Sequence, residues 1–156
     1  MTTQQVSTMP DPHQLQRFID AQDSVYANVA RELAAGRKQS HWMWFIFPQA
    51  AGLGFSAMAQ RYAIGSRAEA VAYLAHDVLG PRLIECTGLV MDVSGRSIRD
   101  ILGSPDDLKF RSSMTLFDAV SGDPLFSSAL ARYFAGARDQ ATLDRLARFD
   151  DPPLPR

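Results

Sequence analysis

The chain has 156 residues, of which 46% are hydrophobic and 21% are charged, a balance typical of one globular domain rather than a disordered chain. Sixteen basic and seventeen acidic residues leave a net charge of −1. This charge disfavours a non-specific nucleic-acid binder, because such proteins carry a basic surplus. The single cysteine, Cys86, excludes an internal disulfide and a cysteine-based zinc cluster.

The sequence predicts a cytoplasmic protein that does not enter a membrane. No apolar run approaches the roughly 18 residues that a membrane-spanning helix needs. The first residues are polar and lack the basic start and apolar stretch of a signal peptide. We expect residues 1–10 to form a disordered leader.

The first predicted element is an amphipathic helix. Asp11 and Pro12 form a typical helix start, with an N-cap followed by proline at the first helical position. Apolar residues then recur at steps of three and four as far as Leu33. The helix is therefore expected to run to about Ala35 and to end at Gly36.

Residues 40–49 are the least ordinary stretch of the chain. Their sequence is SHWMWFIFPQ, which contains both tryptophans and is apolar at odd and even positions alike. Such a stretch is typical of a short buried strand, and a buried extended loop explains it equally well.

Helix-capping residues recur along the rest of the chain. Capping residues, often followed by proline or by a glutamate three positions later, start successive helices. The expected helices are 56–62, 66–75, 81–95, 97–103, 104–120, 123–136 and a last one from 139. Residues 150–156 are rich in proline and form a tail. We predict an all-α fold, a compact single-domain bundle of about six to eight helices over residues 11–149, with one buried aromatic loop or short extended segment.

Local signatures of phosphate-binding loops, zinc proteases and serine hydrolases are absent from the sequence. The three histidines are far apart in sequence, and we expect no metal and no cofactor. The candidate functional residues therefore come from two stretches with unusual combinations of side chains.

The first stretch is the aromatic one. His41 is a candidate general base, because neighbouring apolar rings favour a neutral imidazole, although it equally suits a residue that fixes a buried loop. Trp42 or Trp44 is a candidate stacking surface for a planar ligand, with the core as the alternative. Gln49 is a candidate for recognising the edge of a base, and it equally suits a residue that holds the loop. We add the preceding Lys38 to the ligand-binding set.

The second stretch is the predicted helix 104–120. At 100° per residue, Lys109, Ser112 and Ser113 share a sector that is otherwise apolar, with Asp106 near its edge. Polar groups among apolar neighbours need partners. The partners are either a bound phosphate or carboxylate, or another buried helix end.

The whole pattern resembles an uncharacterised bacterial family labelled domain of unknown function 1810, whose members are sometimes called calpastatin. The resemblance rests on GRKQSHWMWFIFPQ at 36–49, GLG at 52–54, LGPRL at 79–83 and DDLKFRSSMTLF at 106–117. It covers roughly Leu15 to Leu146 and implies a compact, mainly helical fold. No catalytic role is established for the family, and a flexible protease inhibitor does not fit a packed globule.

A looser similarity is to the NADAR domains, which act on N-glycosides of the ADP-ribose type. The similarity rests on residues 69–74, 81–91, 109–110 and 136–143, while the early acidic motif and the C-terminal Trp-Gly-x-Gly region of those domains are absent. It implies a small hydrolase that cleaves an N-glycosidic bond in a nucleotide or ADP-ribose-like substrate.

In this hypothesis a tryptophan stacks on the base, while Lys109 with Ser112 and Ser113 holds a phosphate. His41 with Gln49 orients the base or sugar, and Asp106 stabilises positive charge at the anomeric carbon. The alternatives are a non-catalytic module that binds a nucleotide or a protein through the same residues, and a structural role for all of them. The partner expected first is a phosphate-bearing small molecule. The sequence indicates neither the substrate nor the oligomeric state.

Overall fold

The computed structural model describes residues 10–150, and within that range it contains ten helices and no strand. The all-α prediction is confirmed. The predicted leader and tail lie outside the described residues, except for Pro10 and Asp150. The helices are α1 (Gln16–Asp23), α2 (Tyr26–Ala34), α3 (Met43–Ile46), α4 (Ala57–Arg61), α5 (Arg67–Ala75), α6 (Leu79–Asp92), α7 (Ile98–Leu102), α8 (Asp106–Ser121), α9 (Pro124–Phe134) and α10 (Gln140–Asp150).

The count exceeds the predicted six to eight because the first helix is divided and the aromatic stretch contributes a helical turn. The single helix expected over 11–35 breaks at Ser24 and Val25, which join α1 to α2. Serine and β-branched valine are weak helix formers, and here they permit a bend that keeps both helices on the core. In the described part of the chain, no helix is both long and apolar enough to cross a bilayer.

Side-chain caps start most of the later helices where they were predicted. The Oγ atoms of Ser56, Ser66 and Ser97 each accept a hydrogen bond from the backbone N–H three residues on, and Asp123 accepts one from two residues on. Helix α8 differs, because its N-cap residue is Pro105, which has no capping side chain. These caps confirm that local sequence determines where the helices begin.

The aromatic stretch is buried, but only part of it is extended. Met43–Ile46 form the single turn α3, and the chain straightens after Phe47. Ala50 then pairs with Ile64 in an isolated bridge, in which the N–H of Ile64 donates to the carbonyl of Gln49 at 2.9 Å. The bridge brings residues 49–52 beside residues 62–64.

Helix α8 lies at the centre of the fold and packs against α5, α7, α9 and α10. Phe110, Met114 and Phe117 are fully buried along it. The ring of Phe110 meets that of Phe47 edge-on, with 5.0 Å between centroids. This contact sets the first turn of α8 against the aromatic stretch, so the two predicted functional stretches are neighbours.

Arg17 joins three separate parts of the chain. Its guanidinium donates to the carboxylate of Glu69 and to the main-chain carbonyls of Arg61 and Ala63, each at 2.8 Å. Its Nη1 also donates to two carbonyls just before α1. The side chain therefore holds α1 against the segment that leads into α5.

We expect Arg17→Lys to lower the free energy of unfolding by about 2 kcal/mol, because an ammonium keeps the charge but cannot reach these acceptors together. Urea unfolding measures the difference. The matched control is Arg148→Lys, since Arg148 is exposed and makes no contact with a partner in the described residues. Equal stability of the two variants would contradict the joining role of Arg17.

Candidate functional site

Glu32 organises the loop between α2 and α3, which carries several of the predicted residues. Glu32 is 8% exposed. Its carboxylate accepts five hydrogen bonds of 2.6–3.0 Å, which come from the N–H groups of Gln39 and Ser40, the hydroxyl of Ser40, the amide of Asn28 and the indole of Trp42. Burial alone would raise the pKa of Glu32, but these bonds outweigh it and lower the pKa to about 2. Glu32 is thus a buried anion that fixes the loop.

The two tryptophans have different environments. Trp42 is 1% exposed and its indole N–H donates to Glu32, so its ring belongs to the core. Trp44 is half-buried, and within residues 10–150 its indole makes no hydrogen bond. Of the two candidate stacking rings, Trp44 is the one with accessible surface.

Both lysines of the chain and both tryptophans meet around Asp106. The Nζ of Lys38 lies 2.9 Å from Oδ2 of Asp106, and the Nζ of Lys109 lies 3.7 Å from Oδ1. Lys38 is also 5.0 Å from the ring centroid of Trp42, and Lys109 is 5.5 Å from that of Trp44. We call these five residues the Lys–Trp cluster. Its carboxylate is shared by two cations, which compensate most of its charge.

A small pocket lies against this cluster, and we call it the Trp44 pocket. Its volume is about 130 Å³. A cavity of about 150 Å³ is large enough for a benzene ring. The Trp44 pocket therefore has room for one small ring and not for a whole nucleotide. Its walls are formed by Trp44, Gln49, Ala50, Ala51, Gly52, Gly54, Ala59, Gln60, Tyr62 and Ala63.

The lining combines aromatic surface, small residues and one available amide. Trp44 and Tyr62 provide rings, while alanine and glycine leave the backbone close to the space. The side chain of Gln49 is half-buried and has no hydrogen-bond partner among the described residues. A free donor and acceptor beside flat apolar walls can orient a planar ligand that has a polar edge.

The other predicted residues lie apart from this pocket. Ser112 donates to the carbonyl of Leu108 and to Oδ2 of Asp139, and Ser113 is fully buried with no partner for its Oγ. His41 is exposed and has no hydrogen-bond partner in the described part of the chain. The structure thus brings together Lys38, Trp42, Trp44, Asp106, Lys109 and, across the pocket, Gln49; it places Ser112 against the start of α10 instead.

Arg145 was not predicted as a functional residue. Its Nε donates to the carbonyl of Ala51 at 3.0 Å, and its guanidinium covers the Cα of Gly52 so closely that a Cβ there would overlap it. Both Ala51 and Gly52 line the pocket. Because 94 positions separate Arg145 from Ala51, no local sequence signal indicates the contact.

Two wider depressions flank α1, with volumes of about 600 and 700 Å³. Three of their polar side chains already have protein partners: Asp11 accepts from two N–H groups, His76 Nδ1 accepts from two more, and Arg17 donates to carbonyls and to Glu69. The first depression also borders Pro10, where the described residues begin. The Trp44 pocket is therefore the better candidate site.

Comparison with known proteins gives two matches. The model of a family described as "Protein of unknown function (DUF1810)" matches residues 12–146. The chain is similar to the crystal structure of the conserved hypothetical protein Rv1873 from Mycobacterium tuberculosis, with 56% identity and a TM-score of 0.87, over 88% of this chain and 99% of that one. No curated protein matches.

Proposed function

Since the chain belongs to the DUF1810 family, whose description assigns no function, we propose from the site itself that the protein binds a small molecule through one planar ring. The ring occupies the Trp44 pocket and carries hydrogen-bonding groups on its edge, as a nucleobase or a nicotinamide does. The observation that carries the proposal is the pairing of Trp44 with Gln49, which line the same pocket and whose side chains have no hydrogen-bond partners among residues 10–150.

The size and the lining of the pocket support this choice of ligand. A volume of about 130 Å³ accommodates a single ring, so the rest of the ligand lies outside. A ring stacked on an aromatic side chain is stabilised by about 1–3 kcal/mol. The amide of Gln49 adds specificity, because a ring without a polar edge would leave it unsatisfied.

Hydrolysis of an N-glycosidic bond is a second candidate function. A ring held in the pocket would place its bond to a sugar at the mouth, and Asp106 of the adjoining Lys–Trp cluster is the carboxylate proposed to stabilise positive charge on that sugar. His41, which is exposed, would orient the sugar. The pairing of Asp106 with Lys38 and Lys109 weakens this candidate, because a compensated carboxylate stabilises a cation less.

The test is calorimetric titration of the protein with uridine and with nicotinamide riboside, whose bases are single rings with polar edges. We expect at least one of them to bind, and Trp44→Leu and Gln49→Ala to weaken its binding by about tenfold. Gln39→Ala is the matched control, because this exposed side chain has no partner in the described residues and lies outside the pocket. Its affinity should equal that of the wild type.

Failure of both probes to bind, or equal effects of Gln39→Ala and Gln49→Ala, would overturn the proposal. Chromatography of the same mixtures after long incubation separates the two candidate functions. Release of free uracil or nicotinamide by the wild type, but not by Asp106→Asn, supports the hydrolase. Binding without release supports the binding function alone.

A further inference from the structure

Arg145 contacts Ala51 and Gly52, two residues that line the Trp44 pocket, and its charge is not neutralised within residues 10–150. Arg145 is half-buried and forms no ion pair with any described carboxylate. Only its Nε has a hydrogen-bond partner, the carbonyl of Ala51. The two terminal nitrogens, Nη1 and Nη2, donate to no acceptor within residues 10–150.

Backbone donors lie beside this guanidinium. The N–H groups of Gly52 and Gly54 have no acceptor in the described part of the protein, whereas that of Leu53 closes the turn at residues 51–52. Gly52 has φ +94°, a left-handed conformation that favours glycine, and only the absence of a Cβ lets Arg145 approach it. Gly52, which lines the pocket, thus combines a free N–H group with direct contact to a planar cation.

We propose that Arg145 and the N–H groups of Gly52 and Gly54 form an anion subsite that binds a phosphate attached to the ring in the Trp44 pocket. Nε anchors the loop, and the terminal nitrogens bind two phosphate oxygens, a geometry that the planar guanidinium matches well. The inference rests on the proposed function and narrows its ligand to a phosphorylated one. Free phosphate and phosphoserine have the same chemistry without a ring, and the ring of phosphotyrosine has no hydrogen-bonding edge for Gln49. A mononucleotide supplies both the phosphate and such a ring.

Lys109 is the competing position for the phosphate. Its ammonium already lies 3.7 Å from Asp106, whose carboxylate repels an anion. Ser112, predicted to assist it, donates to Asp139 instead. Arg145 has neither an acidic partner nor a competing acceptor for its terminal nitrogens, so the phosphate is attracted to the Gly52 side of the pocket.

The test compares probes that differ by one phosphate: nicotinamide mononucleotide against nicotinamide riboside, and UMP against uridine. We expect the wild type to bind the phosphorylated member of at least one pair about tenfold more tightly. Arg145→Gln should abolish that difference while it changes the affinity for the unphosphorylated probe by less than about threefold. Arg148→Gln, on the same helix and exposed without a partner among the described residues, should behave as the wild type.

A purely structural role of Arg145 would lower both affinities of a pair together. That result, or equal binding of both members by the wild type, would overturn the inference. So would a phosphate effect that survives Arg145→Gln and disappears in Lys109→Gln. Arg145→Lys keeps the positive charge but loses the two parallel N–H donors of the guanidinium, so it should keep part of the affinity difference between phosphorylated and unphosphorylated probes. This variant keeps the inference testable if Arg145→Gln does not fold. Failure of both unphosphorylated probes to bind would instead overturn the proposed function.

Discussion

The substitution Gly80→Ala is expected to destabilise the protein by about 3 kcal/mol, because helix α6 begins where it touches the end of α5. A Cβ at residue 80 would overlap the carbonyl oxygen of Leu74 and would lie 3.0 Å from its carbonyl carbon. Both atoms belong to the backbone, so no side chain can turn aside to relieve the overlap. The two helices must separate, and the core between them must open.

The turn before α6 makes this separation costly. His76 Nδ1 accepts hydrogen bonds from the N–H groups of Val78 and Leu79, and the N–H of Gly80 donates to the carbonyl of His76 at 3.1 Å. Movement of residue 80 away from α5 would weaken these bonds. The stability lost in Gly80→Ala therefore includes weakened capping hydrogen bonds as well as steric strain.

Gly88→Ala is the matched control, since Gly88 lies in the same helix and a Cβ there would meet nothing within 4 Å. Alanine has the higher helix propensity, so this variant is expected to gain about 0.5–1 kcal/mol. Urea unfolding of the three proteins measures both effects. If the two alanine variants shift stability in the same direction, the close approach of α5 and α6 is not what requires glycine at 80.

The predictions from sequence succeeded where a structure depends on nearby residues. A cap such as Ser66 satisfies N–H groups within one turn, so its effect is visible in a few letters of sequence. The break between α1 and α2 was missed, because bending at Ser24 is favoured by packing on a core that lies elsewhere in the chain. The turn α3 was missed for the same reason: residues apolar on every side fit a helix, a strand or a loop.

In the candidate site, too, the contacts between nearby residues were predicted and those between distant segments were missed. Trp44 and Gln49 are five positions apart in one stretch, and both line the pocket. Helical periodicity placed Lys109 and Ser112 on one face of α8, but it cannot identify what packs against that face, and Asp139 of another segment occupies the position of the expected phosphate. Arg145 reaches the pocket from a distant helix. Residue type and spacing thus identify which groups need partners, whereas the partners themselves come from tertiary packing.

Glu32→Gln is expected to lower the free energy of unfolding by about 3 kcal/mol at neutral pH. The charged carboxylate accepts five hydrogen bonds, and these hold its pKa at about 2, against 4.5 for the unperturbed group. A difference of this size corresponds to about 3 kcal/mol of stability. Glutamine offers one acceptor oxygen and turns an NH₂ towards groups that are themselves donors, so part of the network is left unsatisfied.

The dependence on pH distinguishes this charge effect from a loss of packing. The pKa of Glu32 is lower in the folded state than in the unfolded state. Its contribution to the free energy of unfolding is therefore complete above pH 4.5 and is lost as the pH falls through about 2. The stability gap between wild type and Glu32→Gln should therefore be constant near neutrality and should narrow below pH 4.5. Asp92→Asn, an exposed carboxylate without a partner in the described residues, should show a gap of less than about 0.5 kcal/mol at neutral pH. A Glu32→Gln gap that persists unchanged to pH 2 would mean that the fit of the side chain, and not its charge, holds the loop that carries Lys38 and Trp42.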